Sequence, residues 1–487
     1  MLIFLGYAMV ASFMILIMTK RMTALVALMI VPIVFGLIAG AGADMGKMML
    51  DGLVKLAPTA AMLFFGIIYF CIMTDAGLFD PLIRLIVKLA KGDPLKIIVG
   101  TAVMGTTVAL DGDGATTYVI CTAALLPIYR RLGIRLQYMA TLLLMSIGVM
   151  NILPWGGPTA RAASAMHLDV SEVFVPLIPA MLVGIAYIVF VAIIFGIRER
   201  RRIGTVRASD IAAIEEGLGE VPQFRRPRML PFNLILTVIL IIALVEGFLP
   251  LPILFMIATA VALLLNYPDV NSQKERLSAH AYNVLAVVSL IFAAGIFTGI
   301  LNGTGMLDAM SNSLLYITPD SFGPYLAPFT ALLSGPATYA VTNDAFYYGV
   351  LPILAQTAAA YGISSAEMAR ASLIGQPLHL LSPLVASTYL LVALLDINYG
   401  ENQKAAIGWV IGLMFAMLGG ALVFGTIPLR GIGGCAPRST GSKRTMMASS
   451  NLLARSSIER RPMKAEGSAF MRKPSTRTAP AMSRVGC

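Results

Sequence analysis

The sequence predicts an all-α polytopic membrane protein, with about ten transmembrane helices and two re-entrant hairpins in two inverted-topology repeats. Three observations lead there. Hydrophobic residues make up 58% of the 487-residue chain and charged residues 13%, against about 25% charged in soluble domains. Two short apolar arms flank a polar tetrad, Asp111-Gly112-Asp113-Gly114. The two halves also repeat each other at a nearly constant spacing.

In chain order, candidate spans cover residues 2–18, 23–40 and 56–73, followed by a hairpin near 96–130, a broken span near 137–168 and a span at 173–197. The second half offers 229–249, 252–266 and 282–301, a hairpin near 324–361, a broken span near 369–395 and a span at 405–427. The first run, LIFLGYAMVASFMILIM, is followed by Thr19-Lys20-Arg21 and no small-residue cleavage site, so it reads as a retained helix. Each arm of the first hairpin, about fourteen residues long, reaches roughly 21 Å, short of the ~30 Å hydrocarbon core. Basic residues stand at both outer ends, Lys96 on one side and Arg130 and Arg131 on the other, so the segment enters and leaves on one side. Intramembrane carboxylates and non-helical backbone are costly unless they line a protein-enclosed site, which marks this loop as a candidate binding site.

Charge sets the orientation. Loops bearing Lys20 and Arg21, Arg84, Lys88 and Lys91, Arg130 to Arg135, Arg198 to Arg202, and Lys274 and Arg276 are assigned to the cytoplasm; SAMHLDVSEVF and the loop after Leu301 are assigned outside. Both termini then fall outside, in conflict with a tail that carries eleven basic and two acidic residues after Gly431. That tail reads as disordered and as appended or frame-shifted. It supplies most of the net charge of +11, so the charge does not indicate a nucleic-acid partner. The expected organisation is a first repeat at 1–197, a cytoplasmic linker at 198–228, a second repeat at 229–429 and the tail at 430–487.

Gly77-Leu-Phe-Asp80 matches Gly305-Met-Leu-Asp308 at an offset of 228, while Gly133 and Gly362, Met139 and Met368, Pro154 and Pro383, and Thr159 and Thr388 match at 229. Five spans per half force opposite orientations, a pattern of secondary transporters whose substrate lies where discontinuous helices meet.

Four irregular loops carry the chemistry: Leu110 to Thr117, Asn151 to Ser164, Ser334 to Asp344 and Gly375 to Thr388. Gly112, Gly114, Gly156 and Gly157 expose backbone donors; Thr116, Thr159, Thr342, Asn343 and Ser382 offer neutral polar groups. Arg161 is the sole cation in these loops, suited to a substrate carboxylate or to an internal pair with Asp111, Asp113 or Asp344. Asp111, Asp113 and Asp344 suit a hard cation, and Asp113, Asp344 and His379 suit proton exchange. Helix capping is the structural alternative for the aspartates, and a hydrogen-bonded structural role for His379. Asn at position 113 or 344 is expected to stop uptake and leave stability nearly intact. Cys71, Cys121, Cys435 and Cys487 have no metal or redox spacing, and nucleotide-binding, nucleophile-elbow and metalloprotease motifs are absent. An enzyme, and a permanently bound cofactor, are therefore not expected.

At these residues the chain resembles the citrate-metal:proton symporter family (CitMHS), within the wider ion-transporter superfamily that includes the divalent-anion:sodium symporters. The likeness runs from about Met1 to Leu429 and is carried by MTKRMTALVALMIVPIVFGLIAG, VALDGDGATTYVI and NILPWGGPTARAASAM. The superfamily's hairpin tips carry a Ser-Asn-Thr type motif; here DGDGATT and TND stand instead, and the extra carboxylates suit a metal-bearing substrate and a proton. The resemblance implies uptake of citrate complexed with a divalent cation of the Mg2+ or Ca2+ class, driven by protons, across the cell membrane. It also implies a homodimer with an elevator form of alternating access. Trianionic citrate with one divalent metal is a monoanion, proportionate to a single Arg161. The alternatives are a sodium-coupled di- or tricarboxylate carrier and, from another class, a membrane-embedded enzyme or ion channel.

Overall fold

Every regular element among the described residues is helical, and helix ends follow caps more closely than they follow hydropathy. The computed structural model describes residues 1–90, 93–204 and 224–431. The chain divides into units Met1–Gly434 and Cys435–Cys487; the second unit and the linker segment 205–223, with the expectations placed on them, lie outside the described residues.

Helices α1 (Leu2–Met18) and α2 (Ala24–Ile38) coincide with the first two expected spans. The third, α3 (Met45–Ala76), extends well past the apolar run 56–73. Its added turns carry exposed Lys47, Asp51 and Lys55, and it stops at Gly77, whose φ of 90° forms a left-handed C-cap. Next, α4 (Asp80–Ala90) occupies a stretch expected as a loop; it is a short amphipathic helix with charges on one face, which a search for apolar runs passes over.

The first hairpin consists of α5 (Pro94–Val108), a 3-10 turn at Ala109–Asp111 and α6 (Gly114–Leu132). Its arms are longer than expected because Asp93, accepting from Leu95 N at 3.0 Å, starts the first and Gly133, at φ 66°, ends the second. The broken span is α7 (Leu136–Met150) and α8 (Gly157–Met166), and α9 (Val170–Phe174) leads through a 3-10 turn into α10 (Ile178–Ile203).

In the second half, α11 (Leu230–Val245), α12 (Leu251–Asn266) and α13 (Val270–Gly303) precede α14 (Met306–Ile317), a second short helix where a loop was expected. The second hairpin is α15 (Leu326–Ala340) and α16 (Leu351–Ala359), separated by an extended turn and a π-helix over Ala345–Val350. The second broken span comprises α17 (Ser365–Leu373), α18 (Gln376–His379) and α19 (Ala386–Leu395), and α20 (Tyr399–Val423) follows. Six helices among the described residues are long and apolar enough to cross a bilayer, and shorter apolar helices such as Leu2–Met18 and Leu251–Asn266 accompany them.

Backbone detail follows the spacing found in sequence. Left-handed residues occur at Gly77 and Gly305, Gly133 and Gly362, and His167 and Asp396. Thr159 Oγ1 donates to Ile152 O at 2.6 Å, and Thr388 Oγ1 to Leu380 O at 2.5 Å.

Packing separates two groups of helices. In one, α13 lies along α2 and α3, and α12 lies against α3 and α11. A Cβ on Gly52 would stand 2.0 Å from Gly295 O, so only glycine permits this close approach of α3 and α13. In the other, α10 packs on α5 and α20, α7 on α5 and α20, α17 on α8 and α15, and α19 on α6.

Candidate functional site

The first hairpin tip, the break before α8, Asn343 near the second tip and the turn around α18 enclose a cavity of about 420 Å³. The first helix group closes one wall with Ile67 and Cys71 of α3 and Ala286 and Val287 of α13.

At the first tip, buried Asp111 accepts from Asp113 N at 2.9 Å and from Thr117 Oγ1 at 3.4 Å. Gly112 follows at φ 76°, and a Cβ there would lie 2.9 Å from Trp155 Cδ1, so the turn demands glycine twice over. Asp113 caps α6: it accepts from Ala115 N at 3.3 Å, Thr116 N at 3.0 Å and Thr116 Oγ1 at 2.6 Å. The capping alternative for Asp113 is thus realised while the residue still lines the cavity. Thr116 commits its hydroxyl to that cap and is absent from the lining.

Trp155, which sequence reading did not single out, ties the two loops of this half together. Its Nε1 donates to Leu110 O at 2.7 Å, and its ring stacks on Phe70 at 4.6 Å and meets Phe255 edge-on at 5.2 Å. One of only two tryptophans in the chain, placed in a Pro/Gly break, was the available signal. Gly156 turns too tightly for a side chain, since a Cβ would lie 2.0 Å from Asn151 O. Gly157 and Arg161 line the cavity.

Arg161 Nε donates to Asp344 Oδ1 at 2.5 Å, with side chains only 16% and 14% exposed. Its Nη1 and Nη2 make no hydrogen bond among the described residues, so Asp344 holds the guanidinium by one edge. The partner is 183 residues away, and it takes Asp344 out of the expected set of free carboxylates. Asp344 does not cap a helix either, because Thr342 Oγ1 accepts from Ala345 N at 3.3 Å. The expectation of a stability-neutral Asn at position 344 is therefore revised: that change strands a poorly exposed guanidinium.

Asn343 exchanges two amide hydrogen bonds with Gln376, at 3.4 and 3.2 Å, and Gln376 Nε2 also donates to Tyr347 OH at 2.6 Å. Tyr348 OH meets Ser164 Oγ at 3.1 Å. The π-helix bearing both tyrosines, unforeseen in the sequence, presents successive rings to this region. His379 lines the cavity with Nδ1 2.7 Å from Thr338 O; a carbonyl only accepts, so Nδ1 carries the hydrogen and Nε2 is left as an acceptor.

Besides Thr116 and Asp344, four further expected site residues lie off the lining. Thr159 and Ser382 are buried and donate to Ile152 O and to Tyr339 O at 2.6 and 2.7 Å; they brace the broken helices. Gly156 and Thr342 shape turns. Nor do Asp111, Asp113 and Asp344 converge as a ligand set, since among the described residues no three His, Cys, Asp or Glu side chains could hold a metal ion. The physical reason is the ion pair that draws Asp344 to Arg161.

A model of the citrate transporter family, CitMHS, matches residues 10–375. The chain is 54% identical over 427 residues to a citrate transporter of Bacillus subtilis (strain 168), an alignment covering 88% of this chain and all of that one. It is 49% identical over 431 residues to the Mg2+/citrate complex secondary transporter of the same organism, again over 88% of this chain and all of the relative. Among solved structures, the Alcanivorax borkumensis YdaH transporter superposes with a TM-score of 0.55 at 11% identity, covering 78% of this chain and 88% of that one. Neisseria gonorrhoeae MtrF gives 0.54 at 13% identity, over 80% and 86%. These two likenesses concern the fold alone.

Proposed function

The chain belongs to the citrate transporter family, and from that membership we propose that it takes up citrate as a complex with a divalent cation of the Mg2+ or Ca2+ class, in symport with protons, across the cell membrane. It is a multi-pass membrane transporter and not an enzyme. The observation that carries the finer reading is the charge balance of the cavity. Arg161 is already matched by Asp344, so Asp111 and Asp113 face the cavity with no cation paired to them among the described residues. Coulomb repulsion grows with charge, and trianionic citrate would be repelled three times as strongly as the monoanionic metal complex. A proton on either aspartate removes one opposing charge, which couples proton entry to substrate entry. Citrate oxygens already hold the metal, so the protein needs to add only one or two ligands.

In this reading the free Nη groups of Arg161, the backbone at Gly112, Gly114 and Gly157, and Asn343 receive the citrate carboxylates. Asp111 and Asp113 face the metal, Asp113 and His379 handle the proton, and Asp344 aims Arg161. Thr116, Thr159, Thr342, Ser382 and Gly156 act indirectly by holding the loops. We further propose that residues 1–197 and 229–429 are inverted repeats with re-entrant hairpins, and that the carrier works as a homodimer.

The test is uptake of labelled citrate in proteoliposomes, with Mg2+, Ca2+ or a chelator present and an imposed pH gradient. Uptake should require the metal, rise with an inward proton gradient and stop with a protonophore. Undiminished accumulation without a gradient removes proton symport; sodium stimulation without metal dependence establishes a sodium-coupled carrier instead.

A further inference from the structure

A second, smaller cavity of about 190 Å³ lies toward the other end of α3, lined by Lys55 and Thr59 of α3, His167 and Asp169 after α8, and Leu251 and Pro252 opening α12. By the charge assignment of the loops this is the outer side, and Thr59 stands twelve residues, about 18 Å of helix rise, from the Cys71 that walls the central cavity.

The polar groups of this pocket are incompletely used. Lys55 is exposed and makes no ion pair among the described residues. His167 is held in the left-handed region at φ 54°. Asn302 Nδ2 lies 3.3 Å from His167 Nε2 and donates to Thr298 O as well, which makes Nε2 the acceptor and leaves the hydrogen on Nδ1. That Nδ1 has no partner among the described residues and is closed off from the pocket space, so the ring lines the pocket without donating into it. Asp169 Oδ1 accepts from Ser171 N and Oγ at 2.8 and 2.5 Å, while Oδ2 has no partner among the described residues. The pocket therefore offers the Lys55 ammonium and one carboxylate oxygen together.

The internal repeat adds an independent argument. At the offset of 228 that relates Gly77 to Gly305, Pro58 and Thr59 correspond to Ala286 and Val287. The first two line this pocket and the second two line the central cavity. The outer pocket thus rests on the repeat-related counterpart of a wall that already faces the central cavity.

We propose that this pocket is a second, outward binding site for the transported anion, a metal–carboxylate complex, with Lys55 toward its carboxylate oxygens and Asp169 Oδ2 toward its metal. A bare polyanion would meet Asp169 unfavourably; a complex bearing its own cation satisfies both signs. The inference rests on the reading of the chain as a metal–citrate carrier.

The experiment compares Lys55→Gln with wild type for Mg2+–citrate in two directions, influx into right-side-out vesicles and efflux from preloaded ones. Influx KM should rise about fivefold, the factor of one lost hydrogen bond, with the maximal rate retained and efflux KM unaltered. Raising ionic strength should raise the wild-type influx KM by charge screening and leave efflux KM in place, a measurement that does not depend on the variant folding. An unaltered influx KM, or equal changes in both directions, overturns the outer site. If wild-type protein moves no Mg2+–citrate either way, the functional reading itself falls.

Discussion

Replacing Asp344 by Asn tests the central ion pair directly. The pair joins Arg161 Nε to Asp344 Oδ1 at 2.5 Å, with both side chains well under a third exposed, so solvent screening discounts it only modestly. Removing one member of such a pair leaves an uncompensated charge and typically costs about 3–5 kcal/mol, whereas replacing both by apolar residues is often neutral or stabilising. At about 2 °C per kcal/mol for a large unit, Asp344→Asn should lower the melting temperature by roughly 6–10 °C, and Arg161→Met/Asp344→Leu should melt near wild type. The assay is thermal unfolding of purified protein in nanodiscs, read for wild type, both single variants and the double variant. A large non-additivity, with each single variant less stable than the double, is the expected signature. If Asp344→Asn melts within about 2 °C of wild type, the pair does not hold Arg161 and the assignment of the free Nη groups to substrate loses its basis.

Arg161→Lys should keep most of the stability but raise the apparent KM at least about tenfold, because one ammonium cannot hold Asp344 and present a planar fork to a carboxylate at once; near-normal affinity in inserted protein would refute that division. Asp113→Asn should abolish concentrative uptake while melting like wild type, since Asn also caps α6, and Asp113→Ala should lose about 1 kcal/mol more; wild-type uptake in the Asn variant would make Asp113 a cap and nothing else. Gly52→Ala should be destabilising by about 1–3 kcal/mol, because the new methyl would meet Gly295 O at 2.0 Å; an unchanged melting temperature would mean that α3 and α13 are not locked at this crossing.

Much of this fold was legible because its signals are local. Apolar runs mark helices at Leu2–Met18, Ala24–Ile38 and Leu251–Asn266 almost to the residue, and Asp-Gly and Pro-Gly clusters mark the breaks where no helix can continue. The spacing of Gly77 and Gly305, or Gly133 and Gly362, was visible as residue identity, and all four of these glycines have left-handed φ values. Glycine is chosen there by a torsion angle, which a sequence records directly. Hydropathy failed where a cap or an amphipathic face decides: the polar turns of Met45–Ala76, and the short helices Asp80–Ala90 and Met306–Ile317. The loops that carry the cavity were identified in advance, but their internal arrangement was not. Which carboxylate takes Arg161, that Trp155 reaches Leu110 O, that Gln376 pairs with Asn343, and that Thr159 and Ser382 turn to backbone carbonyls depend on partners that folding brings together from distant parts of the chain. Residue type states what bonds a side chain can make; packing and desolvation select which one it does make, and that selection belongs to the tertiary structure alone.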